Sequence, residues 1–120
     1  MLGRLSPSAY QTFILILRYL ASKNSSTYCF TYKGLRAWLA YNRDAELRKL
    51  EWHTIERSIR ALAEMEVLRR VQKGRRVVFC PGRHFFQLKY EYQRILEDAN
   101  AEANQEFKEL LEYLAGPDPF

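Results

Sequence analysis

Apolar residues near the start of the chain recur at helical spacing. Steps of three or four between them predict an amphipathic helix with one face in a core. Ser6 and Pro7 mark its beginning, because a serine hydroxyl can cap free amide groups and proline suits the first helical position. The helix should end near Ser22 to Asn24, where a polar loop follows. The apolar positions are Tyr10, Phe13, Ile14, Leu17 and Leu20.

Shorter elements are predicted in the middle of the chain. Aromatic and β-branched residues over 27–32 are typical of a brief strand. A short helix should cover 33–40, and Asp44 could cap one further helical turn over 45–50. A second clear helix begins near Trp52, and its opposite face is polar. Its apolar face comprises Ile55, Ile59 and Leu62, with Met65 near it.

A β-hairpin should follow this helix. The runs 67–71 and 75–79 are rich in β-branched residues and flank Gln72, Lys73 and Gly74. Glycine readily adopts the positive φ that a tight hairpin needs.

The spacing of apolar residues in the last part of the chain predicts one long helix from Leu88 to Ala115, which should end at Gly116. Its apolar positions are spaced by about 3.7 residues, close to the period of a straight helix. The chain is therefore predicted to be mainly α with a small β-hairpin (α+β). We divide it into a domain over 1–84 and a C-terminal helix over 85–120.

Charge is distributed unevenly along the 120 residues. Residues 1–84 contain 16 Lys and Arg against 6 Asp and Glu, a net of +10, whereas 85–120 contain 3 against 8, a net of −5. The stretch Arg69–Arg76 holds five cations in eight residues and no acid. Such density favours contact with phosphate over a merely solvated surface, because uncompensated like charges repel one another.

Several functional classes find no support in the sequence. There is no apolar run of 18 residues, so we expect a cytoplasmic protein with no membrane contact. Cys29 and Cys80 are expected to be free thiols. With His53 and His84 they are too few and too irregularly spaced for a metal site. No catalytic or nucleotide-binding motif occurs. We therefore expect no enzyme, no catalytic residue, no cofactor and no small-molecule ligand.

The order helix, short strand, helix, helix, hairpin resembles the winged helix-turn-helix family over roughly residues 6–80. The stretch Trp52–Leu62 resembles its recognition helix, and Val67–Phe79 resembles its wing. Two features depart from the family pattern. Glu66 stands where glycine is usual, and residues 41–51 make the turn before the recognition helix longer. The resemblance implies double-stranded DNA binding in a small prokaryotic, plasmid or viral regulator.

The residues themselves suggest how DNA would be read. Arg57 is the best candidate for a base edge, since its guanidinium can pair bidentately with guanine; the alternative is a solvated cation. Arg60 could instead pair with Glu56 or Glu64. Trp52 could pack inward or contact the DNA backbone. The candidate residues are His53, Thr54, Arg57 and Arg60 in the recognition helix, and Arg70, Lys73, Arg75 and Arg76 in the wing.

A sequence-specific transcriptional regulator is the function we favour. The alternatives are a replication, partition or architectural accessory protein that binds DNA, and a winged helix used as a protein-interaction module. The long C-terminal helix predicts a homodimer; the alternative is that it folds back over the first helix of its own chain. The predicted dimer seam comprises Tyr92, Ile95, Ala99, Ala103, Phe107, Leu110 and Leu114.

Overall fold

The computed structural model describes residues 2–42, 50–99 and 105–116. Within them, helices dominate and two strands form one antiparallel hairpin, which confirms the predicted α+β class. The predicted turn over 45–50 lies largely outside the described residues. The elements in chain order are a short 3-10 helix Leu2–Arg4, then α1 Pro7–Ser22, α2 Tyr32–Tyr41, α3 Trp52–Glu64, β1 Leu68–Lys73, β2 Arg76–Pro81, α4 Phe85–Asp98 and α5 Gln105–Leu114.

Helix α1 is the centre of the molecule, because α2, α3 and α5 all pack on it. Its start is the predicted one: Pro7 occupies the first turn, and the Ser6 hydroxyl accepts a hydrogen bond of 3.2 Å from the amide of Ala9. The helix is buried nearly all round rather than on one stripe, as expected of a helix covered on several sides. Its fully buried side chains include Phe13, Ile16, Leu17 and Leu20.

The hairpin has the predicted glycine turn. Strands β1 and β2 pair from Leu68 opposite Pro81 to Lys73 opposite Arg76. Gly74 then turns the chain with a φ of 63°, a conformation that costs glycine little. Glu66, just after α3, has the same φ of 63° without being glycine, so a glutamate adopts the left-handed conformation there.

The prediction of a strand over 27–32 is wrong, because only one of these residues pairs with another strand. Phe30 forms an isolated antiparallel bridge with Phe79 of β2. Tyr28 has a φ of 59°, which interrupts extended backbone before the bridge. After it, the Thr31 hydroxyl accepts a hydrogen bond from the amide of Gly34 and starts α2. Tyr28 is left-handed and Thr31 caps α2, so only Phe30 between them pairs with β2.

The prediction of a single long C-terminal helix is also wrong. Helix α4 ends at Asp98, and α5 packs alongside α4 and on α1. The leucines Leu110, Leu111 and Leu114 of α5 are buried in the core. Packing against the body removes these side chains from water within a single chain. The alternative in which this region folds back over the first helix agrees with the α5–α1 contact.

One hydrophobic core crosses the predicted boundary at residue 84. Phe85 is fully buried, and its ring packs edge-on against Phe13 and Tyr28 at centroid distances of 5.6 and 5.8 Å. The segments 1–84 and 85–120 therefore share a core rather than forming separate units.

Lys89 of α4 is a fully buried cation in this C-terminal region. Its ammonium donates hydrogen bonds of 3.3 Å to the hydroxyl of Tyr28 and to the carbonyl of Gly116. The rings of Tyr28, Phe86 and Tyr90 lie around it at 4.9, 5.4 and 4.7 Å. Lys89 thus connects the loop after α1, helix α4 and the chain just beyond α5.

Candidate nucleic-acid interface

Helix α3 presents one exposed polar stripe and one buried apolar face. Ile55, Ile59 and Leu62 are at most 1% exposed and pack toward the core. The opposite stripe repeats at steps of three and four, as a helix face does. Thr54 is half-buried beside it. The exposed residues are His53, Arg57, Arg60 and Glu64.

Three predicted residues of this stripe differ in what surrounds them. The Nδ1 atom of His53 lies 3.2 Å from a carboxylate oxygen of Glu51, and both side chains are largely exposed. Arg60 lies 3.9 Å from a carboxylate oxygen of Glu56, one turn earlier. Arg57 is exposed and makes no hydrogen bond or ion pair with any other residue that the structure describes.

Tyr32, at the start of α2, links α3 to the hairpin. The guanidinium groups of Arg60 and of Arg70 in β1 are both close enough to its phenol to act on it electrostatically. Burial raises the pKa of Tyr32, and the nearby Arg60 guanidinium opposes that rise. The phenol therefore brings together two of the predicted cations, Arg60 and Arg70, from different elements.

The hairpin directs its cations to two faces. Arg70 is paired with Phe79 across the ladder, so both side chains point to the side that faces the core and α3. Lys73 is paired with Arg76 and points to the other side. Arg75 is exposed at the turn. The predicted wing residues are therefore not on one face. Arg70 lies on the same side as Arg60, whereas Lys73 and Arg76 lie together on the other side.

Lys73 and Arg76 border an open groove between the hairpin and the start of α2. The groove has a volume of about 930 Å³, and Lys23 and Lys33 line it as well. All four cations are exposed. Four exposed cations therefore lie along this side of the hairpin.

Sequence reasoning missed a third element of the surface, helix α2. The guanidinium carbon of Arg36 lies 5.4 Å from the centre of the Trp52 ring. Trp52 also packs edge-on against Tyr32 at 6.2 Å and is half-buried, which favours the packing interpretation of this tryptophan. The charge of Arg36 was visible in the sequence, but its position against α3 depends on the α2–α3 crossing.

Residues of the predicted dimer seam are divided between core and surface. Tyr92, Leu110 and Leu114 are buried within this chain. Ile95 is 44% exposed and Ala99 is exposed. Ala103 and the Phe107 side chain lie outside the described residues. A seam made of all seven residues is therefore inconsistent with the packing of α5.

The described residues contain no group of three or more His, Cys, Asp and Glu side chains arranged to hold a metal ion. Over the same ranges, no helix has the length and apolar character needed to cross a membrane.

No model of a known protein family, no characterised protein sequence and no solved structure matches this chain. The interpretation of the surface therefore depends on its own geometry and charge.

Proposed function

We propose that this protein binds double-stranded DNA as a winged helix-turn-helix protein and acts as a transcriptional regulator. The observation that carries the proposal is the hairpin: all five of its cations are exposed, and it contains no carboxylate. A short ribbon with this charge density fits the phosphate backbone of DNA, where neutralising phosphates releases condensed counterions. The five residues are Arg69, Arg70, Lys73, Arg75 and Arg76.

Helix α3 supplies the second part of the proposed interface. Its buried face fixes it on α1 and β1, while Arg57 and Arg60 project from the exposed face. A single helix fits the major groove of B-form DNA, and an arginine there can read guanine. Arg70 lies on the hairpin side nearest α3 and would contact the same stretch of DNA.

The order of elements supports the winged-helix interpretation. The bridge between Phe30 and Phe79 places a single extended residue beside β2, where the family has a short first strand. Helices α2 and α3 follow it directly, and the hairpin follows α3. The chain therefore has the sequence of elements that the resemblance implies, with the first strand reduced to one residue.

An accessory DNA-binding role is the second candidate, and one observation favours it. Arg60 is engaged by Glu56 and Tyr32 within the protein, which leaves Arg57 as the main side chain for reading bases. A surface with many phosphate contacts and few base contacts binds DNA with little sequence preference.

The proposal is tested by removing charge from the hairpin. Lys73, Arg75 and Arg76 are changed together to Ala, and binding to a duplex is measured over a range of salt concentrations. We expect weaker binding to every sequence, and a salt slope flatter by up to ~0.9 logarithmic units for each phosphate that the variant no longer neutralises.

A matched control removes the same charge elsewhere. Arg4, Arg94 and Lys108 are exposed on the first helical turn, α4 and α5, and changing all three to Ala should leave the salt slope nearly unchanged. Equal effects on affinity in the two triple variants would refute a specific role for the hairpin. Selection of bound duplexes from random sequence then separates the two functions: a sharp consensus indicates a regulator, and its absence an accessory protein.

A further inference from the structure

Two cysteines far apart in the sequence meet beside the Phe30–Phe79 bridge. The amide of Phe30 donates to the carbonyl of Phe79 at 2.9 Å, and the amide of Phe79 donates back at 2.8 Å. Cys29 and Cys80 are the next residues along the two chain segments, so they face each other as a pair without such bonds. Their Sγ atoms are 2.7 Å apart.

This position suits a covalent link. Facing residues of a pair without ladder hydrogen bonds have Cα atoms about 4.5 Å apart, within the range of about 4.4–6.8 Å that disulfides span. Neither backbone segment would need to move far to bring the sulfur atoms to bonding distance. We propose that Cys29 and Cys80 form a reversible intramolecular disulfide, which makes this pair a redox modification site.

The bond would form by exchange with a low-molecular-weight disulfide, which is the oxidant. The Cys29 thiolate attacks one sulfur of that disulfide, forms a mixed disulfide and releases one small thiol. Cys80 then loses its proton and attacks the Sγ of Cys29, which forms the protein disulfide and releases the second small thiol. Two protein thiols are oxidised to one disulfide, and one small disulfide is reduced to two thiols.

The surroundings assign the order of these steps. Cys29 is half-buried, whereas Cys80 is buried, and burial raises the pKa of the Cys80 thiol to about 11. Both cysteines border a depression of about 500 Å³ that Arg69 and Lys73 also line. Cys29 is therefore the thiol that an external disulfide reaches first, and Cys80 resolves the mixed disulfide.

The link would join the loop between α1 and α2 to strand β2. It would reinforce an association that the Phe30–Phe79 bridge and the stacking of those two rings now provide. It would also constrain the base of the hairpin without using any of its exposed cations. The inference is independent of the proposed function, because it concerns only chemistry within the chain.

The test equilibrates the full chain with mixtures of reduced and oxidised glutathione. Remaining thiols are then alkylated in denaturant and the intact mass is measured. We expect two alkylated thiols in the reduced protein, and none in the oxidised protein at monomer mass less two hydrogen atoms. Oxidation should raise Tm by at least about 5 °C, because the link restricts the unfolded chain.

Single variants provide the controls. Cys29→Ser should retain one thiol or carry one glutathione, and oxidation should leave its Tm unchanged; Cys80→Ala should behave in the same way. The proposal is overturned if the oxidised wild-type protein still alkylates twice, if each cysteine carries its own glutathione, or if the only cross-linked product is a covalent dimer.

Discussion

Arg57 and Arg60 share the exposed stripe of α3, but only Arg60 is held by other residues. Arg60 lies 3.9 Å from the carboxylate of Glu56 and close to the phenol of Tyr32. Arg57 is exposed, and no other described side chain engages it. A guanidinium without internal partners can pair with a base without first breaking an existing interaction. The two arginines should therefore contribute differently to DNA binding.

Arg57→Ala is expected to cost roughly 1–3 kcal/mol on a preferred duplex and less on an unrelated one, because the variant cannot pair bidentately with guanine. Arg60→Ala is the matched control and should weaken the two duplexes by similar amounts. Binding titrations at one salt concentration measure both. Equal costs for Arg57→Ala on the two duplexes would show that this side chain touches phosphate or none of the DNA.

At the scale of elements, α5 completes the core that residues 1–84 begin. Its buried leucines pack on α1 and α4, and the hydroxyl of Tyr113 donates a hydrogen bond of 2.7 Å to the carbonyl of Ser25. Together with the hydrogen bond from Lys89 to Gly116, these interactions hold the end of the chain against the loop after α1. One face of α5 is therefore covered within the chain itself.

Leu114→Ala should lower the free energy of unfolding by about 2–5 kcal/mol, because Leu114 is fully buried and a cavity would remain. Glu112→Ala, exposed on the same helix, should change it by less than about 0.5 kcal/mol. Denaturant unfolding gives both values. Light scattering should give 14.3 kDa for the wild type and both variants; a dimer that Leu114→Ala dissociates would contradict this account of α5.

Local patterns were sufficient to predict α1, α3 and the hairpin. Each has a signal within its own residues: a cap at Ser6, an apolar face on α3 and a glycine at the turn. The end of α4 had no such signal, because apolar spacing shows which face is covered but not by what. The proximity of Tyr32 to Arg60 was equally hidden, since it depends on how two helices cross. For the candidate site, sequence reasoning thus predicted which side chains are exposed but not which of them lie close together.

Over the whole molecule, buried phenols and a buried thiol limit alkaline stability. Burial raises the pKa of Tyr92 to about 12 and that of Cys80 to about 11. Burial also raises the pKa of Tyr113, whose hydroxyl must keep its proton to donate to Ser25. These groups ionise more readily in the unfolded chain, so their contribution is complete below the unfolded pKa values and is lost as the pH rises.

We therefore expect stability to fall from about pH 9, where an exposed cysteine ionises, and more steeply above about pH 10, where tyrosine does. Tyr92→Phe should remove up to about 2–3 kcal/mol of this dependence between about pH 10 and pH 12. Tyr41→Phe is the control, because Tyr41 is 88% exposed. Unfolding midpoints across this range measure the effect; identical profiles for both variants would contradict the role given to Tyr92.

The interactions that close the fold also constrain its biosynthesis. The amide of Leu2 bonds to Glu91, 89 residues later, and Tyr113 bonds to Ser25 across 88 residues. A chain made from its N-terminus cannot form the second bond until residue 113 has been synthesised. Until then α1 lacks the cover that α5 provides, and before residue 89 has been made Tyr28 also lacks Lys89, which lies 61 residues after it. Residues 1–84 are thus synthesised before the acidic residues 85–120, and part of their core stays open to water until α5 packs on α1.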